Sequence, residues 1–158
     1  MAVTEATPQL PPLIPMTIDL DTGVVVRREG PGCAVMYSDP DDPPSEDESF
    51  DLSYLDKLGP RIGNRFGFLQ TVAIDTRKCW SGLYPETPDH HAIVGPTPRL
   101  PGFLLCAGFG GHGVMHSLAA ARAIAETIAR GSSTTFDIGR LRPSRFAEGD
   151  LVVEPAVF

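Results

Sequence analysis

The sequence predicts an α+β chain built on an antiparallel sheet of at least four strands, with one dominant helix. Three observations carry this. Short β-branched segments between Met16 and Ser38 are separated by tight-turn signals. One clean helical stripe runs from Val114 to Arg130 and stops at Gly131. Glycine and proline contribute 16 residues each to a chain of 158, which favours turns over long helices.

Residues 1–14 read as a disordered lead with three prolines. Met16 to Asp19 then reads as a strand, Asp21-Thr22-Gly23 as a hairpin turn and Val24 to Val26 as a second strand. Gly30-Pro31-Gly32 is a further turn and Cys33 to Ser38 a third strand, together an antiparallel meander. Residues 39–48 hold six acids and three prolines and read as a solvated acidic loop. Leu55, Leu58, Ile62 and Phe66 fall at helical spacing, with Asp51 as a candidate cap. Gly59-Pro60 is expected to split this helix in two, because proline cannot donate and its ring clashes with the preceding turn.

Residues 72–84 alternate and read as a long strand that sets Trp80, Gly82 and Tyr84 on one face. Residues 85–90 form a turn, His91 to Gly95 a short strand and Pro96 to Pro101 a loop. Gly102 to Gly108 is a nearly continuous apolar run, the pattern of a strand buried on both faces. In the helix that follows, Val114, Leu118, Ala121, Ala125 and Ile128 form the stripe expected to face the core. The predicted organisation is a lead over 1–14, a sheet with a helix over 15–95, a strand, glycine turn and helix over 96–148, and a tail over 149–158.

The net charge is −7, from 13 basic and 20 acidic residues. Nucleic acid and anionic membrane surfaces are therefore not expected partners, since both need an excess of Lys and Arg. No apolar run is long enough to span a bilayer as a helix, and the first residues lack a basic n-region, so a cytoplasmic location is expected. Cys33, Cys79 and Cys106 are odd in number, form no C-x-x-C and sit among apolar residues, which reads as reduced, buried thiols. His112 and His116 have the i,i+4 spacing that suits zinc, but no third ligand accompanies them and no metal site is expected. His116 reads as a packed helix residue. Ser117 lacks a base that would make it a nucleophile. Arg142 and Arg145 are expected to pair with acids.

The most informative segment is Gly108-Phe109-Gly110-Gly111-His112-Gly113, which links the apolar run to the long helix. Taken literally it is a G-x-G-x-x-G. Glycines allow close backbone approach, and a helix N-terminus offers unpaired N–H groups. No second apolar strand follows the helix, so a βαβ unit is not completed. A pyrophosphate cradle, a tight packing turn and a ligand-facing loop of another kind all remain open on these residues alone.

A resemblance narrows these alternatives. Trp80-Ser81-Gly82-Leu83-Tyr84, Thr87-Pro88-Asp89, Gly95, Gly108 to Gly113 and Arg145-Phe146 stand at the spacing seen in the D-amino-acid oxidase/sarcosine oxidase superfamily of FAD-dependent amine oxidoreductases. From Pro15 to Glu148 the chain resembles the C-terminal half of such a protein. The resemblance implies an antiparallel substrate-side sheet plus the last strand and helix of an FAD-binding domain whose N-terminal half is missing. It places the glycine turn beside the isoalloxazine ring, with Gly110, Gly111, His112, Gly113, Val114 and Met115 as cofactor-binding positions, mainly through backbone. Gly82 falls where some oxidases attach FAD through a cysteine, so the cofactor is expected to be non-covalent.

Trp80 and Tyr84 share a strand face with Gly82 and are the candidate substrate-binding residues, with a purely core role for Trp80 equally open; no catalytic residue is assigned. The third meander strand carries no lysine where some oxidases place one, and Met115 replaces a substrate-binding lysine. Both absences lean toward a dehydrogenase. The expected function is part of an FAD-dependent amine or amino-acid oxidoreductase that passes hydride from the carbon next to nitrogen to flavin N5. It would need a nucleotide-binding partner chain, the missing N-terminal half or a homo-oligomer. The alternative is a non-catalytic remnant or interaction protein that keeps the fold without binding flavin.

Overall fold

A computed structural model describes residues 1–63 and 65–153. The chain divides into two compact units, one over Met1–Leu83 and one beginning at Tyr84, so the division falls earlier than the 95/96 boundary expected from sequence.

The first unit carries a four-stranded antiparallel sheet. Its strands are β1 (Ala2–Val3), β2 (Thr17–Ile18), β3 (Val25–Glu29) and β4 (Gly32–Met36), in the order β1-β4-β3-β2. The meander is present as expected: β2 to β3 turns at Gly23, β3 to β4 at Gly30, and both glycines have positive φ. The lead expected to be disordered is instead structured at its start. Ala2 and Val3 pair with Val35 and Ala34, and Thr4 both donates its N–H to the Cys33 carbonyl and accepts the Cys33 N–H on Oγ1, each at 2.9 Å. Leu10 and Ile14 are buried in the same core. Prolines do not prevent this, because they fall between the anchoring residues. Gly32 makes the join possible, since a Cβ there would sit 2.5 Å from the Thr4 carbonyl oxygen.

Helix α1 (Tyr54–Gly63) runs through Pro60 without the expected division. Leu58 is fully buried, and Leu55 and Ile62 pack on the core from the same face. Tertiary burial outweighs the lost proline donor. Tyr54 fixes the helix to β4 by stacking on Tyr37, with ring centroids 5.2 Å apart, and its hydroxyl accepts the Tyr37 N–H at 2.9 Å.

The long strand expected over 72–84 is absent. Ile74 makes one isolated bridge to Thr4, and Asp75 then accepts the Arg77 N–H and starts a single 3₁₀ turn over Thr76–Lys78. An aspartate that caps a turn competes with ladder pairing. The backbone of Trp80 is held by Met1 in both directions, at 2.7 and 3.1 Å.

The second unit is a hairpin under a helix. β5 (Ile93–Pro96) pairs antiparallel with β6 (Leu104–Ala107), and α2 (Gly113–Arg130) packs on both. Gly131 ends α2 in the left-handed conformation, φ 84°, as expected. A short helix, α3 (Arg145–Glu148), closes the described part.

Four burial expectations do not hold. The buried positions of α2 are Ala120, Ala123 and Glu126, while Val114, Leu118, Ala121, Ala125 and Ile128 are all exposed. At about 100° per residue the expected stripe lies on the opposite face. Small alanines allow close approach to the hairpin, and the larger apolar side chains are left outside. β6 is likewise not buried on both faces: Cys106 and Ala107 are exposed. The three cysteines are free, but only Cys33 is buried. His116 is exposed rather than packed, its ring stacked on His112 at 6.0 Å.

Candidate functional site

The glycine turn begins where β6 ends. Gly108 and Gly110 have φ of 70° and 52°, a single 3₁₀ turn covers Gly110–His112, and α2 starts at Gly113. These first two glycines are demanded by the fold itself. A Cβ on Gly108 would lie 2.6 Å from the Thr87 methyl, and one on Gly110 would lie 2.8 Å from Glu86 Oε1.

Gly111 and Gly113 differ. Neither has positive φ, and Gly113 is ordinary helix at φ −58°, ψ −43°. A Cβ on Gly111 would meet only the Tyr84 ring, at 3.4 Å or more, and one on Gly113 only Phe109, at 3.5 Å or more. Both are ordinary contact distances. The chain's own packing therefore does not require these two positions to be bare, although glycine costs a helix roughly 0.5–1 kcal/mol relative to alanine. No side chain caps α2. Its first amides have no acceptor within the helix, and the positive end of its dipole lies there. The turn thus presents bare backbone and N–H donors together.

The extended segment before the Thr87-Pro88-Asp89 turn lies along these glycines. The Gly110 N–H donates to the Pro85 carbonyl at 3.3 Å. Tyr84 and Glu86, two residues apart, project to the same side, the ring against Gly111 and the carboxylate against Gly110. His90 Nδ1 lies 3.1 Å from Glu86 Oε2. His90 is the one non-glycine residue with positive φ among those described, at 57°.

Below this surface the turn is locked by charge. Arg145 is fully buried and holds Asp89 through two hydrogen bonds, Nε to Oδ2 at 2.7 Å and Nη2 to Oδ1 at 2.8 Å. Asp89 also accepts from Thr87 Oγ1, the His91 N–H and the Val152 N–H. The Arg145 guanidinium, aided by these donors, holds the Asp89 carboxyl well below the usual carboxylate range. Arg142 pairs with Glu148 and Asp150. Both arginines therefore bind acids, as expected. At the other end of α2, buried Glu126 accepts from Thr135 Oγ1 at 2.6 Å, Arg122 Nε at 2.6 Å and the amides of Thr134 and Thr135. The hydroxyl and guanidinium donors hold its carboxyl well below the usual range as well.

Of the residues singled out from sequence, Gly110, Gly111, His112, Gly113, Val114 and Met115 are contiguous at the start of α2, and Tyr84 lies against them. Gly82 and Trp80 belong to the first unit. They lie together there, a Cβ on Gly82 falling 3.1 Å from the Trp80 ring. Without the expected strand, Trp80 and Tyr84 share no sheet face, and both are about half exposed. Sequence reasoning missed Glu86 and His90. The alternation from Gly82 through Tyr84 continues to Glu86, but reading 85–90 as a turn hid it.

The fold and this turn are those of a family described as FAD-dependent oxidoreductases. The profile described as DAO, FAD dependent oxidoreductase, matches residues 1–127, and the chain belongs to that family. It is 29% identical over 157 residues to the bovine FAD-dependent oxidoreductase domain-containing protein 1, covering 95% of this chain and 32% of that protein. It is 32% identical over 148 residues to the Drosophila melanogaster homolog, covering 92% of this chain and 27% of that protein. The chain thus spans about a third of the length of these relatives. In fold it is similar to the crystal structure of L-proline dehydrogenase from P. horikoshii, with a TM-score of 0.79 and 23% identity over 96% of this chain and 40% of that one.

The family implies FAD, and the turn fits it. Bare glycines that the fold does not need, beside unpaired amides at a helix N-terminus, suit a flat, electron-rich ring. Among the described residues, no helix is long and apolar enough to cross a membrane.

Proposed function

We propose that this chain is the substrate-side and C-terminal part of an FAD-dependent dehydrogenase acting on an amine or amino acid. The observation that carries the reading is the pair Gly111 and Gly113, left without side chains where the chain's own packing has room for them. When bound, FAD supplies the two-electron acceptor, its N5 taking hydride from the carbon next to nitrogen. The backbone amides of Gly111, Gly113 and Val114, with Met115, would hold the pyrimidine end of the ring, while the Gly110 and His112 amides are taken by the Pro85 and Phe109 carbonyls and shape the turn. The α2 dipole favours negative charge there, which is where charge gathers as the ring is reduced. Tyr84, half exposed against Gly111, orients substrate beside that turn. With Gly82 where a cysteine would bond the cofactor, binding is non-covalent.

The nucleotide-binding remainder comes from a partner chain or from further polypeptide. Two facts support this. The chain spans about a third of its relatives, and the apolar stripe of α2 faces away from its own hairpin. The leaning toward dehydrogenase over oxidase is the one drawn from the sequence, where the third meander strand carries no lysine and Met115 follows the glycine turn. A cytoplasmic, reducing setting completes the reading, supported by three free thiols.

The test is co-expression with a neighbouring frame or longer polypeptide that encodes a glycine-fingerprint nucleotide domain, followed by a visible absorption spectrum. A flavin spectrum that co-purifies, and bleaches on anaerobic addition of amines or amino acids, is the expected result. An assembly without flavin would overturn the reading.

A further inference from the structure

We propose that Thr87 is a positioning residue for the glycine turn: the Arg145–Asp89 pair holds its hydroxyl, and its methyl then sets where the chain leaves β6. The proposal rests on the function proposed above and deepens it, adding a buried residue that acts on the cofactor-facing backbone through Gly108.

Four groups close a cycle of hydrogen bonds. Arg145 Nη2 donates to Asp89 Oδ1 and to the His91 carbonyl, each at 2.8 Å. Thr87 Oγ1 lies 3.1 Å from the same carboxylate oxygen and 2.8 Å from the same carbonyl oxygen. A guanidinium nitrogen and a hydroxyl thus share both acceptors, and Thr87, Asp89 and Arg145 are all buried. The hydroxyl carries one hydrogen and faces two acceptors. Turning it away would leave it unpaired inside the protein, which is costly.

Threonine branches at Cβ, so its hydroxyl and methyl turn together. With the hydroxyl held in the cycle, the methyl is aimed at Gly108. A Cβ built on Gly108 would fall 2.6 Å from that methyl and 3.7 Å from Ile93 Cγ1. Gly108 follows the last residue of β6 and has φ 70°, so it is the point at which the chain turns out of the hairpin. Beyond it the turn is held lightly. The Gly110 N–H reaches the Pro85 carbonyl at 3.3 Å, and no side chain caps α2. The Thr87 methyl is therefore the buried stop against which the turn is set. Through it, an ion pair reaching to α3 governs where the Gly111, Gly113 and Val114 amides stand.

The experiment uses the isotope-labelled full chain without flavin. Amide shifts and hydrogen exchange are read in wild type, Thr87→Ser and Thr87→Val. Thr87→Ser keeps the hydroxyl and the ion pair but removes the methyl. Thr87→Val sets a methyl where two oxygens face it, so the branch turns out of the cycle. Both variants should move the Gly108 and Gly111 amide shifts and speed exchange at Gly110 about fivefold. Val94 and Cys106, paired within the hairpin, should keep wild-type values. Exchange that rises equally at Val94, Cys106 and the turn would make Thr87 a general stabiliser and overturn the proposal. A turn left unchanged by either variant would overturn it too. The flavin absorption maximum and reduction potential of the co-expressed assembly are then compared for wild type and Thr87→Ser, and a shift in one or both is expected. An unshifted flavin beside a displaced turn removes the positioning role. No flavin in wild type sinks the proposed function, while exchange in the isolated chain still decides whether Thr87 sets the turn.

Discussion

Arg145 and Asp89, 56 residues apart in sequence, meet as a two-bonded, fully desolvated ion pair beneath the Thr87-Pro88-Asp89 turn. The remaining guanidinium donors reach the His91, Leu141 and Arg142 carbonyls. The pair thereby ties the segment that lies along the glycine turn to α3.

Breaking this pair is costly because it leaves one charge buried alone. Asp89→Asn or Arg145→Met should each destabilise the second unit by about 3–5 kcal/mol, and the double variant by less than the sum. Urea unfolding followed by circular dichroism checks this. The folded-state pKa of Asp89 lies below its unfolded value, so its stabilisation is present above the unfolded pKa and is lost as pH falls through the folded one. Stability should therefore drop below about pH 4 in wild type and change less there in Asp89→Asn.

The four glycines of the turn should divide into two classes. Gly108→Ala and Gly110→Ala should destabilise the turn, since both need positive φ, and Gly108 the more, since a Cβ there also meets the Thr87 methyl. Gly113→Ala should leave the isolated chain folded, with a thermal midpoint equal or higher, because alanine favours helix by roughly 0.5–1 kcal/mol. In the co-expressed assembly Gly111→Val and Gly113→Val should lose flavin, while His116→Ala, one turn further along, should retain it. Flavin absorbance per protein, at equal helical content, decides between a ring-facing turn and a packing turn.

The chain alone should bind FAD weakly or not at all, since much of this cofactor's contact surface is its ADP half. Flavin fluorescence during titration with purified chain is the measurement. A tight one-to-one complex would show that the described residues already complete the cofactor site.

The outward stripe of α2 should matter for assembly and not for folding. Leu118→Glu and Ile128→Glu sit on exposed positions and should shift the thermal midpoint of the isolated chain little. Each should abolish co-purification with a nucleotide-binding partner, because a buried unpaired carboxylate at such an interface is unfavourable. Co-purification that survives both changes would remove the docking role from this face.

Some of this protein was legible in its residues and some was not, for physical reasons. The meander, the end of α2 at Gly131 and the glycine turn depend on local chemistry: β-branched runs, positive-φ glycines and helical spacing. Each is written within a few neighbouring positions. The family match followed from the same short patterns at their spacing. Burial did not follow, because it depends on what each face meets. Val114, Leu118 and Ile128 make a genuine apolar stripe, yet the buried positions of α2 are Ala120 and Ala123, small enough for close approach, and Glu126, held by Arg122, Thr134 and Thr135. Pro60 stayed inside α1 because Leu58 is buried, and Ala2 became a strand because β4 offered an edge. Tertiary structure alone likewise set Glu86 and Tyr84 on adjacent glycines and Asp89 against Arg145. Those relationships join residues far apart in the chain, and the free energy that selects them arises only when both partners leave water together.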